Sequence, residues 1–278
     1  MRTIIFIIFF LVISSEILFS QNELQAQYAK ADSLYNKEDY FDAITEFKRL
    51  LFFDKDSIYT FKANEMIGTC YKEGAKFSHA ILYFTYAELA AKNPEEVYDS
   101  RTNIIKVNIL RRTTSNAIRL LDSLSNDSRF KDKKNDIYYW KGWAYIFADD
   151  WENASKEFEK ISEDHPLKKL ADKVISERYS VTEAKILSAI IPGAGQIYTG
   201  NIISGLLSLG WNALWGYLTV NSIIQHRVLD GIFVGDLLWL RFYSGNLQNA
   251  AKFANQRNIA ISNKALNYLQ FQYNGEKP

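Results

Sequence analysis

The chain has 278 residues, a formal net charge of +1 and 47% apolar residues, with 17 Tyr, 18 Phe and 6 Trp. That length accommodates two domains, and a near-neutral balance offers nothing to a nucleic-acid backbone. The single cysteine, Cys70, excludes an intramolecular disulfide and a cysteine-based metal cluster, and the three histidines (His79, His165, His226) lack ligand spacing. No nucleophile-base pair, metal constellation or cofactor loop is visible. Catalytic, cofactor and metal residues are therefore expected to be none, and the chain is read as a non-enzyme.

The N-terminus reads as an export signal. Met1-Arg2-Thr3 gives a short positive region, residues 4–13 are unbroken apolar, and Ser14, Ser15 and Ser20 supply small residues. Cleavage after Ser20 is expected, giving a signal peptide over 1–20. No cysteine lies near the boundary, which argues against a lipoprotein anchor, and Glu16 interrupts the run too early for an uncleaved anchor. The domain that follows then lies outside the cytoplasm, in the periplasm of a bacterial envelope.

Residues 21–179 are repetitive. Ala43, Ala80, Ala117 and Ala154 recur every 37 residues. Four positions after each stands Phe47, Phe84, Leu121 or Phe158, and seven after stands Leu50, Ala87, Leu124 or Ile161. The i, i+4, i+7 spacing places each trio on one helical face. Upstream lies another helix with a small residue followed by an aromatic three positions on, as in Gly68 with Tyr71 and Gly142 with Tyr145. About four helical hairpins are expected, with a polar inter-unit loop over 126–135.

This pattern resembles the tetratricopeptide repeat (TPR), a helix-turn-helix unit of about 34 residues. The second unit carries it at Ile67, Gly68, Tyr71, Ala80, Phe84 and Ala87. The fourth carries it at Tyr138, Gly142, Tyr145, Ala154, Phe158, Ile161 and Pro166. The first has Lys55 where the family usually has proline, and the third keeps only Ile104, Ala117, Leu121 and Leu124. The resemblance implies a solenoid whose stacked units share one core and whose concave surface takes a protein partner. Candidate groove residues are Tyr28 and Tyr35, with Glu65, Thr69 and Lys72 beside them, and Tyr139, Trp143 and Phe147 in the fourth unit. That last apolar face either receives a partner segment or is covered by the helix that follows.

Residues 186–225 contain no Asp, Glu, Lys, Arg or His. Residues 202–224 meet the roughly 20-residue length of a membrane span, and 228–243 form a second apolar segment that carries Asp230, Asp236 and Arg241. A helical membrane domain is expected over 180–262, with spans at 202–224 and 228–243 and a tail at 263–278. Pro192, Gly193 and Gly195 break the first apolar piece, and Gly205, Ser208, Asn212 and Gly216 form a small-residue seam for close packing. Tyr198-Thr199-Gly200-Asn201 and Tyr243-Ser244-Gly245-Asn246 read alike, and both are expected to precede a change of direction. The string Pro192-Gly193-Ala194-Gly195-Gln196-Ile197-Tyr198-Thr199-Gly200 resembles a Pro-Gly-x-Gly-Gln-x-Tyr-x-Gly signature of small bacterial membrane domains of unknown function. It implies motif residues Pro192, Gly193, Gly195, Gln196, Tyr198 and Gly200, and Asp236 is the one acid set among them.

The fold class expected is all-α: a TPR-like helical-hairpin solenoid followed by a small helical membrane domain. The function expected is a membrane-anchored, envelope-facing scaffold for protein-protein interaction, with membrane lipid as its other contact. The alternative is a small transporter or channel component, or a lipid-binding module, acting through the C-terminal domain.

Overall fold

The structure, a computed structural model, describes residues 22–278, so the expected signal over 1–20 and its cleavage site lie outside the described residues. Among those residues all regular structure is helical. The chain divides into two compact units, one running to Lys168 and one from Lys169 to Glu276. Residues 169–179, expected with the repeats, therefore group with the C-terminal unit.

The first unit is built of hairpins: α1 (22–36) with α2 (Tyr40–Phe53), α3 (Thr60–Glu73) with α4 (Phe77–Ala90), α5 (Pro94–Leu110) with α6 (Thr114–Asn126), and α7 (Lys134–Phe147) with α8 (Trp151–Glu159). The periodic alanines Ala43, Ala80, Ala117 and Ala154 are fully buried, as are Phe47, Phe84, Leu121 and Phe158 one turn later. Close approach has a visible cause. A Cβ on Gly68 would stand 2.7 Å from the Phe84 ring, and one on Gly142 would fall inside contact distance of Phe158. In the third hairpin the bulk is redistributed, with Ile105 and Leu121 at the positions held elsewhere by glycine and phenylalanine.

A second 37-residue period appears only in the backbone. Glu38, Ala75, Arg112 and Asp149 all have φ between 54° and 63°. Each ends the first helix of its hairpin, and the next N–H reaches back five residues: Asp39 to Leu34, Lys76 to Tyr71, Thr113 to Asn108 and Asp150 to Tyr145, all at 2.8–3.0 Å. This is a Schellman cap, usually made with glycine. None of the four is glycine, so each turn carries left-handed strain of roughly 1 kcal/mol.

Between hairpins, the first joint has Lys55 where the expected repeat pattern puts proline, and uses Asp54 instead. Its buried carboxylate accepts the N–H groups of Ile58 and Tyr59 at 2.8 and 2.7 Å and the Thr60 hydroxyl at 3.1 Å. The polar run 126–135, expected to be a solvated loop, contains a 3-10 turn, Ser128–Lys133, that buries Phe130 against Tyr98. One apolar side chain in a polar run was enough to anchor it.

The second unit begins within α9 (Pro166–Glu177). It contains α10 (Val181–Ile190), the single turn α11 (Ala194–Tyr198), α12 (Ile202–Ile224), α13 (Val228–Val234), a π-helical stretch (Gly235–Leu240) and α14 (Arg241–Phe271). Ser180 caps α10 by accepting the Glu183 N–H. The expected turn at Phe242–Asn246 does not form: these residues lie inside α14, which continues without a change of direction. The expected segment 228–243 likewise has no end at Tyr243, and the tail begins as helix, with Ala265 and Leu269 buried.

Candidate functional site

The Pro-Gly stretch closes into a buried polar knot. Gly193 takes φ +93°, and a Cβ there would collide with the Gly205 carbonyl of α12. A Cβ on Gly195 would collide with the Ala184 carbonyl of α10. Only glycine lets α10, α11 and α12 meet at these two points. Pro192 supplies the break before them.

Asn246, from the second turn of α14, ties the knot. Its Oδ1 accepts the Gly193 N–H at 2.8 Å, the Gln196 side-chain amide at 2.9 Å and the Ser208 hydroxyl at 2.9 Å. Its Nδ2 donates to the Ser188 carbonyl at 2.8 Å. The Ser188 hydroxyl donates to the Gln196 Oε1 at 2.8 Å and accepts the Gly195 N–H at 2.9 Å. Ser188, Gln196, Thr199 and Asn246 are all buried. The N–H groups of Gly193, Ala194 and Gly195 just after the break are thus satisfied by protein, as irregular backbone shielded from water requires.

Gly200 takes φ +81° and leads into α12, and the Arg257 Nε donates to the Thr199 carbonyl at 3.0 Å. Tyr198 lies at the rim, its ring edge-on to Tyr179 and its hydroxyl between Ser180 and Glu183. Farther along α14, Asn258 makes two bonds with the Tyr179 backbone, at 2.8 and 2.9 Å. The seam on α12 is used by several partners: Ser208 by Asn246, Gly205 by Gly193 and Ile197, and Gly216 by Trp239, which a Cβ added to Gly216 would approach to 3.3 Å. Pro192, Gly193, Gly195, Gln196 and Gly200 therefore act together as a structural knot. Asp236 does not join them; it is exposed on the π-helical stretch.

Beside the knot, α12 and α14 leave a groove of about 970 Å³. Its floor carries Ser204, Ser208, Asn212, Asn246 and Asn249, and its walls include Ile203, Leu207, Trp211 and Phe242. Trp211, Trp215 and Phe242 stand nearly parallel, with centroids 5.8–6.2 Å apart.

The second unit's polarity is inverted. Past residue 180, its buried hydrophobic residues are Ala184, Ala250, Ala254, Ala265 and Leu269, while Ser, Thr, Asn and Gln fill much of the interior. Its surface carries Ile190, Ile203 (77% exposed), Leu207, Val220, Leu229 (82% exposed) and Phe233. Nevertheless, among the described residues no helix is long and apolar enough to cross a membrane. This corrects the expected spans. Residues 202–224 do form one helix, but Asn212, Asn221 and its Ser, Trp and Tyr residues dilute its apolar character, and α13 is only seven residues long.

In the first unit, the expected partner residues fall into two separate aromatic clusters. Tyr28 packs edge-on to Phe47 and stacks on Tyr59, with the Lys62 ammonium 4.7 Å above its ring. Burial, with Asp32 nearby, pushes its hydroxyl pKa up to about 12. Tyr35 is half-buried against Tyr40. Tyr139 and Phe147 flank Trp143 in the fourth hairpin, but Trp143 is only 2% exposed. Of the two readings of this face, partner segment or covering helix, Trp143 itself is closed to a partner, while Tyr139 and Phe147 stay partly exposed. The neighbouring first helices of the second and third hairpins meet through Glu65, which accepts the Ser100 hydroxyl at 3.0 Å and the Asn103 amide at 3.2 Å. Burial raises the Glu65 pKa against the pull of those two bonds. Cys70 is buried in the first core and its thiol is pushed up to about 12, an inert environment.

The sequence signal for the knot was the glycine spacing. What it missed was Asn246, read only as part of a turn, and the groove beside it, whose residues come from two distant helices. No group of His, Cys, Asp or Glu among the described residues could hold a metal ion. Compared with family models, curated proteins and solved structures, the chain matches none.

Proposed function

We propose that the protein is a membrane-seated scaffold of the bacterial envelope. The C-terminal unit sits in the apolar layer as a packed helical cluster, and the N-terminal unit, which resembles the tetratricopeptide repeat, offers a docking surface to a protein partner on the periplasmic side. The observation that carries this reading is the inverted polarity of residues 180–276. Each Ile or Leu side chain left in water forgoes about 1.5–3 kcal/mol, and an exposed apolar surface on this scale marks a membrane or protein contact. The Pro-Gly break, whose Gly193, Ala194 and Gly195 N–H groups bond within the protein, supports the same reading. The N-terminal unit, with conventional apolar cores, supports a part that works in water.

A transporter or channel role would need a polar path, and the exposed Asp236 lies outside the groove lining. The test is extraction of full-length protein from membranes with alkaline carbonate, with a hydrophobic photolabel read by peptide. The expected result is retention in the pellet, with label on residues 186–242 and little on 40–160. Release into the wash as a monodisperse species without detergent would sink the membrane reading. Photo-crosslinkers at Thr69 and Tyr139 in cells should capture a protein partner; adducts at neither position would sink the scaffold role.

A further inference from the structure

We propose that the groove between α12 and α14 binds one anionic phospholipid, with the lipid phosphate on Arg241 and its hydroxyl-bearing head near Asn212. The inference rests on the membrane reading above. Three independent features meet in this groove.

Arg241 lines it and, among the described residues, makes no ion pair. A guanidinium in a water-poor setting requires an anion, and phosphate matches its planar fork. Asn212, which also lines the groove, is 4% exposed; its Nδ2 bonds the Ser208 carbonyl while its Oδ1 has no hydrogen-bond partner among the described residues. A buried acceptor left empty costs about 1–3 kcal/mol, and a hydroxyl donor on a ligand would fill it. The remaining walls, Ile203, Leu207, Trp211 and Phe242, are apolar and exposed. The ligand therefore needs an acidic group, a hydroxyl donor and an alkyl chain. A phospholipid of the phosphatidylglycerol class has all three and reaches the groove directly from the apolar phase. A free phosphate anion has no use for those walls.

Gly245 keeps the groove open. It lies inside α14, where glycine costs about 1 kcal/mol relative to alanine, and an added Cβ would meet nothing within 4 Å. A larger side chain there would fill the groove while favouring the helix. Gly210, on α12 and outside the groove lining, also faces open space, so the same change there serves as a control for added bulk.

The experiment reconstitutes full-length protein in phosphatidylcholine vesicles containing a minor fraction of phosphatidylglycerol. It then extracts the protein in mild detergent and measures the retained lipids by mass spectrometry. Wild type and Gly210→Leu should retain phosphatidylglycerol enriched over the vesicle ratio. Arg241→Gln should lower that enrichment about tenfold, equivalent to about 1.4 kcal/mol, and Gly245→Leu should abolish retention at unchanged thermal stability. Lys252→Gln, an exposed cation outside the groove, should change nothing. Excess glycerol phosphate should fail to displace the lipid. Equal retention by wild type, Arg241→Gln and Gly245→Leu would overturn the proposal, as would equal loss in Lys252→Gln or displacement by glycerol phosphate. Carbonate extraction run in parallel separates the two readings: protein that stays in the pellet but retains no phosphatidylglycerol refutes only the lipid site, whereas protein that washes off refutes both.

Discussion

The two units solve the same packing problem in opposite ways. In the first, glycine makes room for an aromatic ring: Gly68 under Phe84 and Gly142 under Phe158. The core is large, apolar and dry. In the second, glycine makes room for backbone, with Gly193 against Gly205 and Gly195 against Ala184, and the contact is sealed by amides and hydroxyls. On the membrane reading proposed above, the difference follows from what each surrounding would demand. In water, burying rings releases apolar surface and drives folding. In an apolar phase that drive vanishes, and association falls to close backbone approach and internal hydrogen bonds.

The largest break in that contrast should come from Asn246→Ala. It removes the Oδ1 acceptor of the Gly193 N–H and of one Gln196 amide N–H, whose other bond to the residue 246 carbonyl remains; at about 1–3 kcal/mol per orphaned donor, a total loss of about 4 kcal/mol is expected. Limited proteolysis in detergent should show cleavage near residues 192–200, and an unchanged digestion pattern would deny the knot its role. In the first unit, Phe84→Ala should cost about 3–5 kcal/mol, read as a lower urea midpoint. Cys70 reports this unfolding directly, since its buried thiol should react with maleimide only when the first core opens.

A matched pair sharpens the comparison. Leu89 and Leu229 are similarly exposed, at 78% and 82%. Leu229→Lys should weaken membrane retention by about 2–3 kcal/mol if the site lies deep in the apolar layer, whereas Leu89→Lys should alter neither retention nor stability by more than about 0.5 kcal/mol. Equal effects from the two substitutions would erase the distinction between the units.

A smaller and opposite effect is expected at the strained turns. Arg112→Gly should stabilise the first unit by about 0.5–1 kcal/mol, because glycine takes φ +60° without the Cβ clash. The smallest concerns pH. His165 stacks on Phe158 and accepts the Leu167 N–H through Nδ1, and burial lowers its pKa. A folded-state pKa below the unfolded value means the unfolded chain takes up the proton first. Stability is therefore fully present above the unfolded value of about 6.5 and declines as pH falls through the folded one. His165→Phe should flatten that part of the pH-stability profile.

Much of the first unit was legible because its signals are local. Ala43, Phe47 and Leu50 fall on one face by helical geometry alone, and their recurrence every 37 residues marks the hairpins before any contact is known. The left-handed turns were not legible, since two acids, an alanine and an arginine occupy Glu38, Asp149, Ala75 and Arg112, none is the glycine such a turn favours, and only the backbone repeats. Asp54 is a similar case: its capping role shows only once Ile58, Tyr59 and Thr60 fold back onto it.

For the second unit, the sequence by itself determined an uncharged helical stretch broken at Pro192-Gly193, because proline and glycine act within a turn of their own position. Tertiary structure alone decided what closes that break. Asn246 stands 53 residues from Gly193 in a string nearly identical to a real turn, yet it is helical, and its amide reaches Gly193 only because α14 packs alongside. Helix propensity is set within a few residues, whereas a buried hydrogen bond is set by which surfaces meet.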